Sequence, residues 1–276
     1  MDVVRVLDVS EFTREIDPAW WVSARDVQQV RAAVIQVWGG GYIGGRKNVH
    51  FQQQVAGAQA AGLGVAAYCW PPKDWAAAVA HIDQSGVRRG DLAFFALDME
   101  RPPRGNTDPT VKRAHVDGVT AAGFRPVIYT SPEEWTAAMN ASVEFADVAL
   151  WLARYHWRAP AGSNFYRLRW DITIDRAFGS YTSVGGWPRD TDKLWGWQFA
   201  GTTELGVESV DLNLFYASAF ELDEEDDMAL AGENRERMNR GAVMLKLASI
   251  GQAGTKPKAL ELWWARAVLD AMEAED

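Results

Sequence analysis

Three glycines constrain the architecture more than any other feature of this chain. Gly62, Gly86 and Gly123 each close a stretch with helical periodicity, and each is followed within a few residues by a short apolar run. A glycine just past a helix takes the left-handed cap conformation at little cost, and an apolar run after it reads as a buried strand. The same grammar, extended both ways, predicts strands at Val3 to Val9, Ala33 to Val37, Gly64 to Cys69, Leu92 to Asp98 and Pro126 to Tyr129. Helices are expected at about 48–61, 74–85, 108–122 and 131–140, and a first helix is signalled by Ser23 and Asp26 in capping-box arrangement. Five such units in a row imply a parallel sheet, and 276 residues suit one barrel-sized domain.

Beyond residue 145 the grammar changes. Val148 to Ala153, Arg167 to Ile172 and Leu194 to Phe199 read as strands joined by loops rather than by long helices. The fold class expected is therefore α/β, a TIM-like barrel of five β/α units plus three further strands, with a small C-terminal helical segment. The acidic run from Glu221 to Asp227 marks a boundary between a barrel over residues 1–220 and the segment 221–276. In that segment Leu260, Trp264, Ala267, Val268 and Ala271 share one helical face behind Pro257. Roles in packing, in forming a homo-oligomer or in targeting are all open to it.

The chemistry is carried by Leu97-Asp98-Met99-Glu100, where a buried strand ends. Side chains alternate along a strand, so Asp98 and Glu100 point to one side, about 6–7 Å apart. Two carboxylates there are costly unless hydrogen-bonded, paired or used. Either they are solvated or bridged to Arg101 or Arg104, or their pKa values are driven apart, as a glycosidase needs. In a parallel barrel the functional face lies at the C-terminal ends of the strands. Asp8 after the first strand and Asp211 in Val210-Asp211-Leu212-Asn213 also fall at or near that face. A turn cap would explain Asp8, and an Asx turn Asp211.

Composition narrows the classes. A net charge of -9 argues against a nucleic-acid surface. Fourteen tryptophans supply core and also flat platforms for sugar faces. Cys69, the only cysteine, ends an apolar run and is expected in the core rather than as a nucleophile. The N-terminus lacks a basic stretch followed by a long apolar one, so no signal peptide is expected. Nor is membrane insertion, with no apolar stretch of about 18 residues.

Asp8-Val9-Ser10, Leu97-Asp98-Met99-Glu100, Val127-Ile128-Tyr129-Thr130-Ser131 with Trp135, Leu150-Trp151-Leu152-Ala153-Arg154-Tyr155, Trp197-Gln198-Phe199 and Val210-Asp211-Leu212-Asn213-Leu214-Phe215 follow one another in an order that resembles glycoside hydrolase family 25. These are lysozymes of bacteriophages, bacteria and some fungi, and the resemblance spans roughly residues 3–216. It implies cleavage of the β-1,4 bond after N-acetylmuramic acid in bacterial peptidoglycan glycan strands. By position Glu100 matches the general acid and Asp98 its anionic partner, with Asp8 and Asp211 as supporting acids. Tyr68, Tyr129, Trp151, Tyr155 and Gln198 match the residues lining the sugar subsites. No cofactor is implied. The chain departs from the family pattern at Gln36-Val37-Trp38-Gly39-Gly40, at Tyr68-Cys69-Trp70 and at Phe12-Thr13, all of which bear on subsite contacts. With no signal peptide expected, the resemblance points to a phage lysin made in the cytoplasm and acting on the wall after release.

Two rivals come from other classes. A metal-dependent hydrolase could use four clustered acids, but His50, His81, His115 and His156 show no metal-ligand spacing, so no metal is expected. A non-catalytic cell-wall glycan-binding module could share the barrel, yet it would have no use for two costly acids.

Overall fold

The computed structural model describes residues 2–13, 16–39, 45–102, 107–155, 168–205 and 208–222. Eight strands close into a barrel. The first five alternate with helices: β1 (Val3–Val9), α1 (Pro18–Gln28), β2 (Val30–Trp38), α2 (Phe51–Ala60), β3 (Gly64–Cys69), α3 (Trp75–Ser85), β4 (Phe95–Asp98), α4 (Arg113–Ala121), β5 (Pro126–Thr130) and α5 (Pro132–Met139). Then come β6 (Ala149–Ala153), a two-residue hairpin of β7 (Ser183–Val184) and β8 (Trp187–Pro188), and the long pair β9 (Leu194–Leu205) and β10 (Glu208–Tyr216). Around the barrel the order is β1-β10-β9-β6-β5-β4-β3-β2. Neighbours from β1 through β6 to β9 run parallel, while β10 is antiparallel to both β1 and β9. The expected five β/α units are present and three strands close the barrel, but only β6 and β9 are closing strands at the expected places. No helix among the described residues is long and apolar enough to cross a membrane.

The glycine caps behave as their positions predict: Gly62, Gly86 and Gly123 have φ of 77°, 81° and 88°, a region that side-chain-bearing residues rarely occupy. Two expectations need correcting. The first helix is capped by Asp17, whose carboxylate accepts from the Ala19 N–H, with Pro18 pre-set for the first turn. Ser23 is instead buried inside α1, and its spacing from Asp26 is one of the i,i+3 coincidences a helix produces. The second correction concerns strand identity. Residues 168–172 form no strand; the barrel's eighth position belongs to β10. Their apolar side chains cover the barrel's outside, where a helix would otherwise pack. Trp170 meets Phe199 at 5.8 Å, and Arg5 lies over its ring. Arg104, His156, Arg167 and everything from residue 223 on, including the expected C-terminal helices, lie outside the described residues.

Two apolar layers follow from the strand alternation. The outer one packs Leu7, Ile35, Leu97, Ile128, Leu152 and Leu212 against the helices. The inner one is narrow and built largely from small residues, Val6, Ala32, Val34, Ala66 and Ala96. Its lower end is closed by Phe94, Phe215 and Phe220, with ring centroids 5.3 to 5.7 Å apart. Gly196 makes room for that floor, since a Cβ there would lie 2.3 Å from the Phe215 ring. The barrel is thus a cup, filled below and open above.

Candidate active site

Inward positions at the open end of the strands carry polar groups. Asp8 (β1), Tyr68 (β3), Asp98 and Glu100 (β4 and just beyond it), Tyr129 (β5), Trp151 (β6), Gln198 (β9) and Asp211 (β10) line a single cavity. Asp8 stands directly opposite Asp211, and Asp98 is in register with Tyr129 and that in turn with Trp151. Asp211 reaches this face because β10 runs in reverse, so an early residue of the strand sits in the layer of the other strands' ends. Eight of the nine expected site residues therefore converge. The ninth, Tyr155, follows β6 at the rim; it is 45 % exposed and joins the cluster through its hydroxyl, 2.9 Å from Gln198 Oε1. Tyr129 and Trp151 are almost wholly buried and pack together with centroids 4.4 Å apart, leaving little ring face for a ligand.

Sequence reasoning missed Asn213. It is fully buried, two residues past Asp211 on the same face of β10, and period-two alternation was the available signal. Its Nδ2 donates to Asp8 Oδ2 at 2.8 Å, and its Oδ1 accepts from the Trp151 indole N–H at 2.9 Å. Gln198 Nε2 lies 3.0 Å from Asp8 Oδ2 and 3.2 Å from Asp211 Oδ2. Its Oε1 faces the Tyr129 hydroxyl at 2.7 Å, and that hydroxyl lies 3.3 Å from Glu100 Oε1. The Trp70 indole N–H holds the Glu100 main-chain carbonyl at 2.9 Å, fixing where the chain leaves β4.

Arg101 does not bridge the two strand-end acids. Its guanidinium forks onto Glu134 at 2.7 and 2.9 Å. Among the described residues no ion pair includes Asp8, Asp98, Glu100 or Asp211. Four carboxyls in one cavity cannot all ionise cheaply. Burial pushes Glu100 up to about 7, and the charges of Glu134 and Asp8 add to this, whereas a Tyr129 hydroxyl donating to it would act in the opposite sense. Burial raises Asp8 to about 6, its bonds from Asn213 and Gln198 holding it down. Asp98 and Asp211 are driven well above the ordinary carboxylate range, by burial first and then by their acidic neighbours. Asp98 Oδ1 is buried and has no hydrogen-bond partner. Such an oxygen is ready to accept from a ligand's N–H or O–H. Among the described residues no three His, Cys, Asp or Glu side chains converge as ligands for a metal ion.

The family profile of the glycosyl hydrolases family 25 matches residues 7–203. Among solved structures, the chain is similar to the bacterial lysozyme from Streptomyces coelicolor, at 20% identity over 84% of this chain and 98% of that one, with a TM-score of 0.53. It is also similar to the spore cortex lytic enzyme SleM of Clostridium perfringens, at 22% identity over 78% of this chain and 67% of that one, with a TM-score of 0.52. At these identities the likeness is one of fold. No curated protein sequence matches the chain significantly.

Proposed function

The chain belongs to glycosyl hydrolase family 25, and on that premise we propose that it hydrolyses the β-1,4 bond between N-acetylmuramic acid and N-acetylglucosamine in peptidoglycan. The observation that carries the reading is the pair Asp98 and Glu100 in one cavity that no cationic side chain lines among the described residues, with Asp98 Oδ1 buried and unpartnered. A general acid must hold its proton near the working pH, and Glu100, at about 7, meets that requirement.

In the proposed reaction Glu100 protonates the glycosidic oxygen as the bond from the anomeric carbon breaks. The muramic acid acetamido oxygen attacks that carbon from the opposite face. Asp98 accepts the acetamido N–H through its bare Oδ1 and balances the positive charge that develops. Water then opens the ring so formed, giving its proton to Glu100. Both residues end as they began. Substrate assistance is an established variant of the two-carboxylate scheme, and it uses the buried Asp98 Oδ1, which has no hydrogen-bond partner among the described residues. Asp98 is more deeply buried than Glu100, so it must meet a donor or a positive charge to ionise; an acetamido group supplies both. Asp8 and Asp211 act from the far wall, Tyr68 and Tyr129 present hydroxyl-bearing edges, and exposed Tyr155 offers the stacking face at the mouth.

Digestion of purified peptidoglycan followed by borohydride reduction tests this. New reducing ends on N-acetylmuramic acid, lost by at least about 100-fold in Glu100→Gln, are expected. Ends on N-acetylglucosamine, or new amino groups, would make it a different hydrolase. No new ends with wall binding retained would make it a glycan-binding module.

A further inference from the structure

The hydrogen bonds behind the acids have a direction that can be read from groups able only to donate. An indole N–H cannot accept, so the 2.9 Å contact from Trp151 fixes the Asn213 amide with its oxygen towards Trp151 and its NH2 towards Asp8. Asp8 Oδ2 thereby receives N–H groups from both Asn213 and Gln198. Asp211 receives the other Gln198 N–H, and its second oxygen accepts from the Thr202 backbone. With its NH2 donating to Asp8 Oδ2, the Gln198 amide turns Oε1 towards Tyr129 and Tyr155. An amide oxygen carries no hydrogen, so a separation of 2.7 Å from the Tyr129 oxygen requires the phenol's own proton between them. Tyr129 has one proton, and it is committed to Gln198. At its 3.3 Å contact with Glu100 the phenol oxygen can only accept, and Glu100 must be the donor.

We infer that two hydrogen-bond arms converge on Asp8, one from Trp151 through Asn213 and one from Tyr129 through Gln198, and that the second leaves the Tyr129 oxygen as an acceptor that favours the proton-carrying form of Glu100. All four hydrogen-bonding sites of Gln198 are occupied within the protein, so it is a positioning residue and not the sugar ligand its place in the motif suggests. The titratable groups facing Glu100 act in the same sense. Asp8 from β1, Asp98 on its own strand, Asp211 from β10 and Glu134 from α5 are acidic, and Tyr68 and Tyr129 from β3 and β5 are neutral phenols. The nearest cation in sequence, Arg101, is held by Glu134.

The inference rests on Glu100 being the proton donor for its meaning in catalysis, but its test needs no turnover. In the full chain labelled with 13C at the glutamate carboxyl carbons, the Glu100 signal is the one missing from Glu100→Gln, and its pH titration is read directly. Tyr129→Phe removes the acceptor, so the Glu100 midpoint should fall by roughly 0.5 to 1 pH unit. If Tyr129 were a donor to the carboxylate, the midpoint would rise by a similar amount; a rise or no change overturns its acceptor role. Gln198→Leu frees the Tyr129 proton to turn towards Glu100, so the midpoint should fall further although the phenol is still present; an unchanged or raised midpoint refutes Gln198's part. Should Gln198→Leu fail to fold, Gln198→Met, closer in shape and likewise without an amide acceptor for the phenol proton, should give a fall of the same sign. Wild-type protein that leaves peptidoglycan uncut would sink the role of Glu100 as acid while leaving these titrations to decide the direction of the arm from Tyr129.

Discussion

Replacing Glu100 by glutamine should make the protein more stable, and only above about pH 4.5. The folded chain raises the Glu100 pKa from 4.5 to about 7, chiefly by burial. An acid whose folded pKa is raised binds its proton more tightly in the folded than in the unfolded chain. Stability therefore falls as pH climbs from 4.5 to about 7 and stays low beyond it. That interval corresponds to at most about 3.4 kcal/mol. Glu100 is only partly buried, and solvent screening reduces the figure to roughly 1–2 kcal/mol. A glutamine at 100 keeps the shape, carries no charge, and can offer an N–H to Tyr129 as the protonated acid does. Its melting temperature at pH 8 should exceed the parent's by roughly 3–6 °C, and the two should nearly coincide around pH 4, where the parent's Glu100 is mostly protonated in the folded and the unfolded chain. Calorimetric melts of the two proteins from pH 4 to 8, alongside peptidoglycan clearing, measure this. Equal stability at pH 8, or a difference that persists undiminished at pH 4, would show that Glu100 carries no such penalty.

Asp98→Asn should follow the same trade, clearing peptidoglycan roughly 100- to 1,000-fold more slowly while melting higher at pH 8; loss of activity with loss of stability would point to a structural role. Clearing should survive exhaustive dialysis against EDTA, and activity that vanishes and returns with magnesium, manganese or zinc would overturn the glycosidase chemistry. Gly196→Ala should lower the melting temperature by several degrees, because the added methyl meets the Phe215 ring at 2.3 Å; an unchanged melt would mean the barrel floor is pliable. Truncation after Leu222 should change thermal stability or mass per particle in light scattering while sparing the rate on soluble glycan fragments, if 223–276 packs or self-associates.

The β/α units were legible because their punctuation is local. A helix ending in a left-handed glycine needs no tertiary information, and apolar runs such as Gly64–Cys69 announce burial on both faces. The strand β10 was not legible, because its inward side chains Asp211 and Asn213 are polar and its outward ones, Val210, Leu212 and Leu214, are apolar. That inverts the usual pattern and reads as a turn. Trp170 and Ile172 misled in the opposite way, being apolar to cover the barrel's flank rather than to join it. Within the site, the acids stood out as charges at strand ends. Asn213 and the true task of Gln198 did not, since an amide's role depends on which of its two ends each neighbour faces, and no spacing records that.

The reversed eighth strand also decides where the barrel's two outermost strand ends meet. By descending from the mouth of the cup to its base, β10 brings Tyr216 beside Val3, and the Ala217 N–H donates to the Asp2 carbonyl. Residues 219–222 then lie under the barrel, where Arg125 reaches the Ala219 carbonyl and the Glu221 carboxylate. Asp2 and Leu222 thus both meet Ala217 on the side away from the cleft. A wall-binding module, an affinity tag or a surface tether joined at either point would hang from the base and leave the mouth clear for a long glycan strand.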